Sequence, residues 1–155
     1  MKNLLRATTI LAVLGVAVSA YALWQHFAPF GSGFCNVSSR ISCDLVNKSA
    51  YSEIVGIPIS FVGIIGYTLL AGIAIAMLVR PSLVAMLFPW LLAAAIGGLG
   101  FSLYLTYVEL FVIGAICVLC VTSQVLMLSI AILTSIVWRK LHPSLNSSSP
   151  AQTFG

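Results

Sequence analysis

Cys117-Val118-Leu119-Cys120 is a Cys-x-x-Cys sequence inside a long apolar run, Leu110 to Trp138. Two cysteines three apart on a helix share one face. Such a pair closes reversibly into a disulfide and trades it with other thiols. The other two cysteines, Cys35 and Cys43, stand eight residues apart in a polar segment far upstream. Three readings fit the pair in the apolar run. It is a redox dithiol, or two small buried core residues, or half of a four-thiolate metal site. The metal reading needs two ligands from a flexible loop and finds no histidine nearby except His26. For Cys35 and Cys43 the choice is a fixed loop disulfide, common in exported segments, or a shuttle pair. A shuttle needs only a mixed disulfide between the two pairs, and two pairs in one short chain favour it.

The elements that must position these thiols follow from composition. The chain has 155 residues, enough for one domain. It is 61% hydrophobic and 6% charged, with a mean hydropathy of +1.13. Soluble domains carry about 25% charged residues, so this is an integral membrane protein. No Lys/Arg cluster marks a nucleic-acid surface.

Four apolar runs are expected to cross the membrane as helices. The first is Ala7 to Leu23, flanked by Lys2 and Arg6. Its Ala20-Tyr21-Ala22 end has the A-x-A pattern of a signal peptide. Its length, with Tyr21 and Trp24 as interface anchors, favours a retained first helix. A polar segment from His26 to Glu53 follows, rich in Gly, Ser and Asn, and reads as a long loop with one short helix at most. The second span is Ile54 to Val79, with Pro58 in its first turn. The third is Ser82 to Tyr107, with Gly97, Gly98 and Gly100 as points of close packing or kinking. Glu109 is expected in a tight hairpin. The fourth is Leu110 to Trp138. Trp90 is expected to pack and His26 to lie at the interface. Residues 1–140 form the membrane domain, and 141–155 a disordered tail rich in Ser.

Charge sets the orientation. With four spans, Lys2, Arg6, Arg80, Arg139 and Lys140 share one side, against Arg40 and Lys48 on the other. The positive-inside rule puts the first side, with both termini, in the cytoplasm. The cysteine loop and all three acids (Asp44, Glu53, Glu109) then face the periplasm, the extracellular side or the ER lumen. Cys117 and Cys120 follow Glu109 by eight and eleven residues. At about 1.5 Å per residue they lie roughly 10 to 15 Å below the outer surface. The two pairs can therefore meet, on the oxidising side where disulfides persist. A dithiol at that depth can be reoxidised by a lipid-soluble acceptor. A quinone dissolves in the bilayer and takes two electrons, which matches the two that one dithiol yields.

Cys35-x7-Cys43 in the first outer loop and Cys-x-x-Cys on the last of four helices resemble the vitamin K epoxide reductase family, including its bacterial quinone-reducing members. Ser49, six residues after the second loop cysteine, fits a serine typical of the family. Gly56-Ile57-Pro58-Ile59-Ser60-Phe61-Val62-Gly63 is similar to its motif at the start of the second helix, and Tyr67 fits an aromatic position beyond it. The resemblance covers Leu4 to Lys140.

The resemblance implies an all-α bundle of four transmembrane helices with a long first outer loop, acting as a thiol oxidoreductase. Cys120 would deliver electrons to the quinone, of ubiquinone, menaquinone or vitamin K type. Cys117 would form a mixed disulfide with Cys43, and Cys35 would exchange with an outside thiol partner. Ser49, Ile59, Tyr67 and Gln124 would line the quinone site, with no metal. In vertebrate members an Asn and a Tyr bond the ligand's carbonyl oxygens; here Ile59 and Gln124 stand at those positions. Ile59 donates no hydrogen bond and Gln124 can, which counts against vitamin K epoxide as substrate and leaves quinone reduction intact. Many bacterial relatives carry a fused thioredoxin-like domain. None follows the fourth span in this sequence, so a separate thioredoxin-like partner is expected, beside membrane lipid. Two alternatives remain: a vitamin K epoxide or quinone reductase, and a tetraspan structural or metal-binding protein without turnover.

Overall fold

A computed structural model describes residues 1–31 and 41–141. Cys35, and the expected tail from residue 142 onward, lie outside the described residues. Leu141 ends the last helix instead of opening the tail.

The protein is an all-α membrane bundle of four long helices. They are α1 (Lys2–Phe27), α3 (Ile59–Val79), α4 (Val84–Val108) and α5 (Val118–Leu141), with a short loop helix α2 (Cys43–Asn47). Each long helix is long and apolar enough to cross a membrane. In hydrocarbon the backbone must satisfy its own polar groups, and a helix does so within one segment. These helices are apolar all round, so one stripe of each packs inward while side chains such as Leu69, Ile96, Leu103 and Val125 stay exposed to lipid. The core collects Leu5, Ala12, Leu70, Met77, Phe88, Leu91, Ile130 and Val137. Helix α1 packs against α3 and α5, and α4 against α5.

Small residues decide how near the helices come. A Cβ on Gly15 would run into the Tyr67 ring, and one on Gly63 would sit 2.8 Å from Ser19 Oγ. Glycine at these two positions lets α1 and α3 approach closely.

Three expectations change. The second span starts later than Ile54, because Glu53–Ile54 (β1) and Ile57–Pro58 (β2) pair as an antiparallel hairpin. Its turn residues, Val55 and Gly56, have φ of 55° and 77°, the two positive values of a type I′ hairpin turn. Pro58 caps α3 instead of lying inside it. Next, the chain does not reverse at Glu109. It continues through a π-helical turn, Glu109–Ile113, and stops at Gly114, whose φ of 69° is left-handed. Glycine takes that conformation without steric cost, so it ends the helix. Finally, Trp90 points outward at 68% exposure instead of packing.

The short turns between α3, α4 and α5 make the long helices alternate in direction. One end of the bundle holds Lys2, Arg6, Arg80, Arg139 and Lys140, and the other holds the loop. Several bonds pin that loop to the end of α1. His26 Nδ1 contacts the Asn47 carbonyl oxygen at 2.5 Å, and its Nε2 lies 3.1 Å from the Glu53 carboxylate. Lys48 Nζ donates to the Ala28 carbonyl and sits over the Phe30 ring. The Asp44 carboxylate accepts from Gly31 N–H at 2.6 Å. His26 is thus a tether as well as an interfacial residue.

Candidate redox and quinone site

The thiols gather where the loop meets the break between α4 and α5. Cys117 is the residue before α5, and its carbonyl accepts the helix's first bond, from Val121 N–H at 3.0 Å. Cys120 lies in the first turn. The pair is therefore at the loop end of the last span and not two or three turns inside it. The cause is the later helix start after Gly114. A helix N-terminus is a place where a thiolate is favoured. Both residues are free thiols. The neighbouring Cys120 thiol holds the Cys117 thiol below its ordinary range, against burial and the nearby Glu109 carboxylate, which push it up.

Cys43 opens α2, whose N-cap Ser42 accepts from Leu45 N–H at 3.3 Å. Cys43 is disulfide-bonded. Immediately before it, Ile41 forms a parallel bridge with Ile116, and Ser42 N–H donates to the Ile116 carbonyl at 3.2 Å. This backbone stitch puts the residue after Ser42 beside the residue after Ile116. Cys43 and Cys117 are both fully buried, in one cluster with Ala22, Val46, Ala115 and Leu119. Periodicity gives no sign of such a stitch. Among the described residues, no group of three or more His, Cys, Asp or Glu is placed to hold a metal ion.

Next to Cys120 is a cavity of about 230 Å³, walled by α1, α3, α4, α5 and the loop. Its lining is mostly apolar, with Ser19, Ser60, Ser102, Thr106 and Ser123 among the hydroxyls. Of the residues expected there, Ser49, Ile59 and Tyr67 line it. Ser49 Oγ is turned to the Val46 carbonyl at 2.8 Å, so it is a turn residue as well. The Tyr67 hydroxyl donates to the Ser123 carbonyl at 2.8 Å. Gln124 does not line the cavity. Its side-chain oxygen accepts from Ser102 Oγ and, at 3.4 Å, from Thr106 Oγ1. The residue of that turn facing the cavity is Ser123, about 100° round the helix from its neighbour.

Two lining residues were not singled out from the sequence. Asn47, 6% exposed, has a side-chain nitrogen that is buried without a hydrogen-bond partner among the described residues. Glu109, 4% exposed, accepts from Cys117 N–H at 3.4 Å and lines the cavity with Cys120. The signal for Glu109 was its position as the one acid after Glu53, between the last two apolar runs. Ionisable residues in such runs are costly and mostly functional.

Four apolar spans, with a buried dithiol beside a cavity, are the parts of a membrane oxidoreductase. The chain belongs to the vitamin K epoxide reductase family, whose sequence model matches residues 6–135. That match spans all four helices and includes every expected site residue. Members of the family are membrane oxidoreductases, working in general on quinone-linked thiol oxidation or on vitamin K reduction.

Proposed function

We propose that the protein oxidises an external dithiol and reduces a quinone, supporting disulfide bond formation in a thioredoxin-like partner. The observation that carries this reading is the Ile41–Ile116 bridge, which sets Cys43 against Cys117. The partner's thiols reduce the loop pair through Cys35. The Cys43 thiolate then attacks the Cys117 sulfur of a Cys117–Cys120 disulfide, and Cys120 leaves. Cys35 attacks Cys43 and frees Cys117. Two electrons have moved inward, and the Cys117/Cys120 dithiol passes them to the quinone, which leaves as quinol.

The cavity fits a quinone ring. An apolar cavity of about 150 Å³ takes benzene, and this one is larger. A buried donor without a partner favours a ligand that brings an acceptor. Asn47 Nδ2 is such a donor, and a quinone carbonyl is such an acceptor. Asn47 would supply the bond that Ile59 cannot give. The apolar Ile59 and the withdrawn Gln124 support quinone over epoxide as the substrate. The five cations at the far end support an active site on the outer side of the membrane.

In Cys120→Ala the Cys117 thiol attacks Cys43 of the loop disulfide, Cys35 leaves, and alkylating the released Cys35 thiol blocks its return attack. A Cys43–Cys117 peptide adduct should accumulate, seen by mass spectrometry, and quinone-dependent thiol oxidation should stop. Wild-type turnover by Cys120→Ala in detergent would overturn the relay.

A further inference from the structure

We propose that Glu109 is the proton carrier between the Cys120 thiol and the quinone. The proposal rests on the quinone-linked relay above. Oxidising the Cys117/Cys120 dithiol replaces two S–H bonds with one S–S bond and releases two electrons and two protons. A quinone needs two electrons and two protons to become a quinol. The sums match, so the protons can pass within the site and none need come from water.

Glu109 is the group placed to pass them. It lines the cavity together with Cys120. Cys117 N–H donates to its Oε2 at 3.4 Å, which fixes the carboxylate against the thiol pair. Among the described residues no Lys, Arg or His pairs with it. A carboxylate held in an apolar site without a cation is costly, and packing alone gives no reason to keep one. The other buried acid, Asp44, is no substitute. Its carboxylate binds Gly31 N–H, and it does not line the cavity. In the forward step Glu109 accepts the Cys120 proton as that sulfur gives up its electrons, then hands it to the quinone oxygen. The Cys117 proton follows by the same carboxylate, which Cys117 N–H holds at 3.4 Å.

Positioned acid–base groups contribute roughly 10²- to 10⁴-fold. Glu109→Gln keeps the shape and a hydrogen bond but carries no exchangeable acid. It should slow quinone-driven formation of the Cys117–Cys120 disulfide at least tenfold in stopped-flow experiments on pre-reduced protein. Glu109→Asp should recover part of the rate, and added formate should speed Glu109→Ala in proportion to its concentration. The proposal is overturned if Glu109→Gln reacts at the wild-type rate. It is also overturned if Gln and Asp variants fall alike and formate has no effect. Should the variants not fold, ¹³C-glutamate labelling in Glu53→Gln leaves Glu109 as the single labelled carboxyl. Its infrared band should report protonation while quinone oxidises the thiols; an unchanged band overturns the proposal. Wild-type protein runs alongside, because its failure to reduce quinone would sink the functional reading itself.

Discussion

Asn47 has a side-chain nitrogen buried in the cavity wall without a protein partner among the described residues. Leaving a donor unsatisfied costs about 1–3 kcal/mol, and a ligand carbonyl recovers that cost. Asn47→Leu should therefore raise the KM for quinone by roughly tenfold, about 1.4 kcal/mol of lost hydrogen bonding. An unchanged KM in steady-state assays would exclude Asn47 as the donor. At this scale the sequence was partly legible. Ser49, Ile59 and Tyr67 line the cavity. Gln124 does not, because a one-residue step on a helix turns a side chain about 100°. In a helix apolar on every side, no pattern says which neighbour faces inward. Asn47 and Glu109 were legible only as polar residues, not as members of a site, because both gain their roles from the break at Gly114 and the fold of the loop.

Among elements, the break between α4 and α5 matters most. Gly114 ends the π-helical turn with a left-handed φ, and a Cβ there would meet nothing within 4 Å. Any cost of substitution is then backbone strain, about 1–2 kcal/mol for an ordinary residue. Gly114→Val should lower thermal stability in detergent and slow Cys43–Cys117 exchange, because the turn sets where Cys117 sits. Gly114→Asn should be milder, since Asn visits this region more readily. Equal effects from Val and Asn would show that something other than φ is at work. The sequence placed this reversal five residues early, at Glu109, since a lone charge between apolar runs looks like a surface turn. The better signal was Gly114 itself, a residue that ends helices. The hairpin before α3 was missed for a related reason. Ile54, Val55 and Ile57 extend the apolar run, so only Gly56 hinted at a turn.

At the scale of the molecule, the number of spans, the long loop and the segregation of basic residues were all readable, because hydropathy and charge report them directly. The burial of Cys43 and Cys117 in one cluster depended on a backbone stitch between residues 75 apart, Ile41 and Ile116, which leaves no local trace. One consequence follows from the loop helix α2. Cys43 is its first residue and Asn47 its last, so in the proposed relay one turn carries the exchanging sulfur at one end and a cavity donor at the other. Ligand occupancy and disulfide exchange are then thermodynamically linked, and linkage is reciprocal. Whatever factor a bound quinone adds to the Cys43–Cys117 bond, that bond adds to quinone affinity. Coupling of this kind typically amounts to about 5- to 150-fold. Cys120→Ala should thus bind a non-reducible quinone analogue with at least fivefold different affinity in its trapped and its reduced forms. Identical affinities would mean that α2 moves as two independent ends. On the proposed function, such a link would tie the exchange of an electron pair to the presence of its acceptor.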